Sequence, residues 1–309
     1  MATLRTTTIG SLYRFREDLL ESIDEAIAFQ SSLGMDIISD GEQRTDMVSY
    51  FAESLSGLSV SNGVPFIADK VELKGDASDF SKVKDLAYIR SKHPDMDVKV
   101  AITGPTTLGM TCGSRSAGSH YGGLRDFTLY EDIADALAPI AESLADLGAH
   151  VQIDEPFLSQ GYGDIKERVA LLDRIADGLP VERTSVHVCG YVGRYGVLSH
   201  LMRLENVSVV SLGFAGRQER PNMDVLGDAR FSDNGKLLGA GCIAVTPMSE
   251  NEVGDAESVC ALLESTARAV GPDSIAYAHP DCGLRVTGKS LVAIILRNLR
   301  AGVDLFGRG

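Results

Sequence analysis

Residues 150–177 read HVQIDEPFLSQGYGDIKERVALLDRIAD, and this stretch contains one complete strand-to-helix unit. Its first part, 150–156, is an apolar run that ends in the polar triplet DEP. Its second part, 165–177, places apolar residues three and four positions apart, which is the spacing of one helix face. Gly178 follows directly, as expected of a residue that ends a helix. The stretch therefore predicts a buried strand followed by an amphipathic helix.

The same unit recurs along the whole chain. Seven further apolar or β-branched runs are predicted as strands, at 6–11, 35–42, 98–104, 184–190, 207–215, 237–245 and 275–283. Helical spacing is clearest at 16–33, 126–147, 250–270 and 287–301. Gly34, Gly148 and Gly302 follow three of these helices and are predicted to end them.

Eight strand-to-helix alternations predict an α/β protein, a single (β/α)8 TIM barrel that forms one domain over residues 1–309. A doubly wound open sheet also fits the alternation, but the strand count favours the barrel. The polar, β-like stretch 58–79 follows the second strand and is predicted to be a β-hairpin insertion.

Charge and cysteine content exclude several classes of protein. The 43 acidic side chains outnumber the 29 Lys and Arg, giving a net charge of −14, and no basic stripe is present to neutralise nucleic-acid phosphates. The five cysteines are odd in number and widely spaced, which argues against a disulfide framework and for reduced thiols. We see no signal peptide and no apolar run long enough to span a bilayer. We therefore expect a cytoplasmic protein with neither nucleic-acid nor membrane partners.

Chemically active residues close the predicted strands, where a barrel places its active site. His187 and Cys189 are two positions apart on one strand, so both side chains point to the same side. Imidazole and thiolate are ligands suited to zinc. Cys282 closes the last predicted strand and is able to approach the pair across the barrel mouth. An H-x-C pair also arises by coincidence among buried residues, and spacing alone does not decide between the two interpretations.

Six segments carry a resemblance to a known family. TTTIGS (6–11), SDGEQRTDMVSYF (39–51), ITGPTTL (102–108), VQIDEPFL (151–158), HVCG (187–190) and HPDCGLR (279–285) resemble, in order, the catalytic barrel of cobalamin-independent methionine synthase. The resemblance runs the full length of the chain and matches the short form that lacks a second, N-terminal barrel. HVCG is also similar to the zinc motif of the methylcobalamin:coenzyme M methyltransferases.

The resemblance implies a zinc-dependent methyltransferase that forms methionine from homocysteine. It implies zinc on His187, Cys189 and Cys282. It also implies that Ile9, Gly10 and Ser11 hold the substrate's carboxylate and amino groups, and that Glu42 and Asp154, the candidate catalytic residues, hold its ammonium group. Two carboxylates and a backbone turn with a hydroxyl group satisfy the two charges of an amino acid.

Departures from the family pattern determine the expected methyl donor. Gly213 stands where the family has a fourth zinc ligand, a glutamate, so either the fourth position is open or another carboxylate such as Glu155 or Glu219 reaches it. The family's histidine after the seventh strand has no counterpart in 241–251, and the chain has no tryptophan to stack on a folate. A methyl group that leaves an amine needs acid assistance, whereas one that leaves cobalt does not. We therefore expect methylcobalamin, or a methylated corrinoid protein, as the donor.

Three other interpretations stay open at this point. The first is methyl or alkyl transfer to another thiol such as coenzyme M, or from methyl-tetrahydrofolate as the donor. The second is a non-catalytic, zinc-holding partner of a corrinoid protein. The third is porphyrin decarboxylation within the same superfamily, which leaves HVCG and HPDCG unexplained.

Overall fold

The fold was analysed in a computed structural model that describes residues 4–115, 120–162 and 164–308. Eight strands form one sheet in which every neighbouring pair is parallel. They are β1 (Arg5–Thr6), β2 (Ile38–Ser39), β5 (Val98–Thr103), β6 (His150–Asp154), β7 (Thr184–Val188), β8 (Val209–Gly213), β9 (Leu237–Ile243) and β10 (Ile275–Pro280). All eight predicted strands are thus present.

The sheet closes on itself. Its strand order is β1-β10-β9-β8-β7-β6-β5-β2, and a parallel bridge between Thr7 and Ile37 joins the two ends of that order. Asp36 and Ile37 both donate backbone hydrogen bonds to the carbonyl oxygen of Thr6 across this junction, at 3.0 Å. The predicted (β/α)8 barrel is confirmed.

Helices cover the outside of the barrel. They are α1 (Leu19–Ser32), α2 (Ser49–Ala52), α3 (Ser81–Lys92), α4 (Pro105–Gly113), α5 (Thr128–Asp146), α6 (Ile165–Ala176), α7 (Val197–Leu201), α8 (Met223–Ala229), α9 (Ala256–Val270) and α10 (Lys289–Phe306). The predicted insertion after the second strand is an antiparallel hairpin of β3 (Leu55–Ser61) and β4 (Val64–Leu73). No helix in the described part of the chain is long and apolar enough to cross a membrane.

The prediction that Gly302 ends the last helix is wrong. Helix α10 continues to Phe306, and Gly302 lies buried inside it. A Cβ atom added at Gly302 would lie 2.4 Å from Cγ1 of Val259 on α9, well inside van der Waals contact. This glycine allows α9 and α10 to pack closely, whereas Gly34, Gly148 and Gly178 do adopt positive φ as helix-ending glycines.

The inside of the barrel is polar at the level of the functional strand ends. Lys99, Gln152, His187, Ser211 and His279 are all at most 1% exposed. Burying a polar group costs folding free energy unless the group is hydrogen-bonded. These five side chains form two series of hydrogen bonds with one another and with the backbone, described below.

Candidate active site

Three candidate ligand atoms converge at the C-terminal rim of the barrel. His187 is the last residue but one of β7, Cys189 directly follows that strand, and Cys282 lies two residues after β10. Nε2 of His187 lies 2.9 Å from Sγ of Cys189, and that sulfur lies 2.8 Å from Sγ of Cys282. The three atoms all lie within 4.8 Å of one another. One nitrogen and two sulfurs gathered this closely fit the protein donors of a single zinc ion.

The described part of the chain supplies three ligand atoms to this cluster and no fourth. Within the described residues, no carboxylate oxygen joins the three ligand atoms within that distance. Glu155 is unavailable because its carboxylate accepts hydrogen bonds from the backbone N–H groups of Thr106 and Thr107 and from the Thr107 hydroxyl. Burial raises the pKa of Glu155 to about 7. The donor set therefore resembles catalytic zinc sites, which keep one position for water or substrate.

Glu219 fills the volume that a side chain at position 213 would occupy. A Cβ atom added at Gly213 would lie 2.7 Å from Cγ of Glu219 and 3.0 Å from Oδ1 of Asp281. Asp281 is itself held by the backbone N–H groups of Phe214, Ala215 and Gly216. Glu219 thus lies beside the ligand cluster without contributing an atom to it.

One cavity of about 310 Å³ connects the ligand cluster to the other predicted site residues. Ile9, Ser11, Glu42 and Asp154 line it together with the three candidate ligands. Gly10 lies between two lining residues, and its carbonyl oxygen accepts a hydrogen bond from Oγ of Ser39 at 2.9 Å. The volume is at the lower end of the range for small-molecule sites.

The carboxylate of Glu42 is held by the buried ammonium group of Lys82. Nζ of Lys82 donates to Oε1 of Glu42 at 2.9 Å and lies 3.4 Å from Oδ2 of Asp40. Burial lowers the pKa of Lys82, but Asp40 and Glu42 raise it more, so this pKa is above its usual value. Burial raises the pKa of Asp40 to about 6. Glu42 has φ 50, a left-handed conformation uncommon for a residue with a side chain, and Lys82 holds its carboxylate in this position.

Asp154 is held by a second chain of hydrogen bonds from inside the barrel. Nζ of Lys99 donates to Oε1 of Gln152 at 2.8 Å, which fixes the orientation of the amide. Nε2 of Gln152 then donates to Oδ1 of Asp154 at 2.7 Å and to the carbonyl oxygen of Ile9 at 3.0 Å. Burial, and next the charge of Glu42, raise the pKa of Asp154 to about 8. Gln152 therefore connects two sides of the cavity.

Several lining residues were not predicted as site residues from the sequence. They are Asp46, Met47, Pro156, Gly283, Arg285 and Val286. Arg285 is the basic side chain among them, and its Nη2 donates to the backbone carbonyl oxygens of Glu42 and Thr45. Its place in the HPDCGLR segment, three residues after Cys282, is the signal by which it might have been found.

Comparison with known proteins decides the family. Residues 2–303 match the model of the cobalamin-independent synthase catalytic domain. The chain belongs to this family. It is 35% identical over 294 residues to a methionine synthase of Methanothermobacter thermautotrophicus, with 94% of this chain and 89% of that protein covered.

More distant relatives include a longer protein and two solved structures. A 5-methyltetrahydropteroyltriglutamate–homocysteine methyltransferase of Corynebacterium glutamicum is 30% identical, but the chain covers only 39% of its length. The structure of a B12-independent methionine synthase from Shewanella superposes with a TM-score of 0.83 at 23% identity, covering 99% of this chain and 98% of that one. A methyltransferase from Methanosarcina mazei superposes with a TM-score of 0.68 at 14% identity, covering 99% and 95%. These two structures support the barrel fold.

Membership of the cobalamin-independent synthase family confirms the predicted enzyme class, a methyltransferase of the methionine synthase type. It also overturns one prediction. The expectation of methylcobalamin or a methylated corrinoid protein as donor is wrong, because the family is cobalamin-independent. The inference relied on the missing histidine and the missing tryptophan, but neither absence outweighs a family match over residues 2–303.

Proposed function

We propose that this enzyme transfers a methyl group to the sulfur of homocysteine, forming methionine, with zinc on His187, Cys189 and Cys282. The observation that carries the proposal is the convergence of these three ligand atoms in one cavity with Glu42 and Asp154. The names of two relatives support the choice of reaction: the methanogen protein is a methionine synthase, and the corynebacterial protein is a homocysteine methyltransferase.

The donor is proposed to be a methylated reduced pterin of the methyltetrahydropteroyl class. This class is named for the corynebacterial relative, and a cobalamin-independent family requires a donor of another kind than a methylated corrinoid. The new S–C bond forms as the N–C bond of the donor breaks. The thiol loses one proton and the donor nitrogen gains one, so the reaction balances without an oxidant or reductant.

The residues of the cavity divide the substrate between them. Glu42 and Asp154 each have one carboxylate oxygen committed to a buried donor, Lys82 or Gln152, and we assign their second oxygens to the substrate's ammonium group. Ile9, Gly10 and Ser11 bind the carboxylate through the backbone and a hydroxyl group. Zinc on this donor set lowers the pKa of a bound thiol and keeps its sulfur nucleophilic.

Metal analysis combined with a methyl-transfer assay tests the proposal. We expect about one zinc per chain, and methionine formed from homocysteine and a methyltetrahydropteroyl donor without added cobalamin. Cys282→Ser is expected to lose zinc and turnover together, because the hydroxyl group is a much poorer ligand than a thiolate. Cys260→Ser is the matched control, since Cys260 lies on α9 away from the cluster. Zinc at full occupancy with no methylation of homocysteine would contradict the proposed reaction.

A further inference from the structure

A second histidine, His279 on β10, lies inside the barrel below the candidate zinc ligands. It is fully buried and is not part of the ligand cluster. Its Nδ1 lies 2.7 Å from the carbonyl oxygen of Pro280. A carbonyl oxygen only accepts hydrogen bonds, so Nδ1 must carry a hydrogen atom. The ring is buried and its hydrogen bonds go to a carbonyl oxygen and a hydroxyl group rather than to a carboxylate that would stabilise a charge, so it is neutral and its Nε2 is an acceptor.

Ser211 on β8 lies between the two histidines, so the position of the hydrogen on His279 determines the position of the hydrogen on His187. Its Oγ lies 2.8 Å from Nε2 of His279 and 2.9 Å from Nδ1 of His187. A hydroxyl group has one hydrogen to donate, and the unprotonated Nε2 of His279 takes it. Oγ of Ser211 is then left as an acceptor for the N–H at Nδ1 of His187. The remaining ring nitrogen, Nε2, carries a lone pair and faces Sγ of Cys189.

The hydrogen bond between Ser211 and His279 passes across the intervening strand β9, and a glycine on β9 leaves room for it. Strand β9 runs between β8 and β10, and Ser211 pairs in register with Gly239 on β9. A Cβ atom added at Gly239 would lie 3.0 Å from Cβ of Ser211 and 3.2 Å from Nε2 of His279. The absence of a side chain at this position leaves room for the direct Ser211–His279 hydrogen bond.

We propose that Ser211 and His279 are positioning residues that hold His187 in its Nδ1–H tautomer and aim its Nε2 lone pair at the metal position. The proposal rests on zinc binding as part of the proposed function. Without Ser211 and His279, the hydrogen of the His187 ring is free to move to Nε2 and the ring is free to rotate. Part of the free energy of zinc binding is then spent on restoring the Nδ1–H tautomer and the ring orientation. Removing an outer hydrogen-bond partner of a metal-ligating histidine costs about 10- to 100-fold in metal affinity.

Zinc affinity at one fixed pH, measured on the full chain by chelator competition, tests the proposal. We expect Ser211→Ala and His279→Leu each to weaken zinc binding about 10- to 100-fold. Ser211→Thr keeps the hydroxyl group and is expected to stay within about threefold of the unaltered chain. Ser185→Ala is the matched control, because Ser185 is also buried, lies on the neighbouring strand β7, and donates a long, 3.5 Å hydrogen bond to the carbonyl oxygen of Val151.

The tautomer is also measurable without any substitution, by ¹⁵N NMR of His187 in the zinc-free chain. A hydrogen on Nε2 of His187 would overturn the proposal, as would Ser211→Ala and His279→Leu variants that bind zinc as tightly as the unaltered chain. An unaltered chain that binds no zinc would instead contradict the proposed function. Cobalt substitution adds a third measurement, since a reoriented imidazole alters the d–d spectrum of the folded variants.

Discussion

Replacing Lys82 with methionine should destabilise the fold more than any other single lysine replacement on helix α3. Lys82 is fully buried between Asp40 and Glu42, whose side chains are 3% and 5% exposed. Its Nζ also lies 4.5 Å from the ring centroid of Tyr50. Methionine fills a similar volume but leaves two buried carboxylates without a cation. Breaking a buried ion pair in this way costs about 3–5 kcal/mol, a large part of a typical free energy of unfolding of about 5–15 kcal/mol.

The same helix provides a matched control. Lys92 ends α3, lies 2.5 Å from Asp24 and sits 4.6 Å above the ring of Tyr88. It has the same kinds of partner as Lys82, but its side chain is 44% exposed. Water screens exposed pairs and solvates the carboxylate that is left behind. Lys92→Met is therefore expected to change the free energy of unfolding by no measurable amount.

Urea unfolding followed by far-ultraviolet circular dichroism compares the two variants. The expected result is a much lower urea midpoint for Lys82→Met, and a midpoint for Lys92→Met equal to that of the unaltered chain. Lowering the pH towards 6 should reduce the penalty in Lys82→Met, because a protonated Asp40 no longer needs the cation. Equal midpoints for the two variants at pH 7 would refute the reasoning, since burial is the main difference between them.

Three further predictions concern other parts of the molecule. Burial lowers the pKa of His150 to about 4, so below about pH 6.5 the unfolded chain binds a proton that the folded chain does not. The free energy of unfolding should therefore fall by about 2 kcal/mol between pH 7 and pH 5. The urea midpoint of His150→Gln should depend less on pH than that of the unaltered chain. Glu42→Gln and Asp154→Asn should each raise KM for homocysteine about 10- to 100-fold, by loss of a charged hydrogen bond of about 1.5–3 kcal/mol, while zinc content measured on the same samples stays unchanged. Glu219→Gln should bind zinc as tightly as the unaltered chain in chelator competition, because Glu219 contributes no atom to the ligand cluster; a large loss would mean that the fourth position is not open.

Much of the fold is written in local sequence patterns. Most strands of the barrel lie within short apolar or β-branched runs, and helices such as α5 and α6 have apolar residues at helical spacing. Both kinds of element are therefore recognisable without tertiary information. Helix α3 was missed because its buried face includes Lys82 and Asp85, where a helix pattern expects apolar residues. Helix α4 was missed because it is short and buried nearly all round. Both failures occur where tertiary packing overrides the local pattern.

The sequence by itself determined which residues close the strands and which ligand types they offer, because alternation along a strand fixes the side on which His187 and Cys189 point. Only the tertiary structure decided which of these groups are free. In the structure, the carboxylate of Glu155 accepts three hydrogen bonds, and Glu219 fills the space beside Gly213. Ser211 lies within hydrogen-bond distance of His279 across β9. Such contacts depend on strand register and barrel closure, which join residues tens to hundreds of positions apart, and no local pattern encodes a distance between two strands.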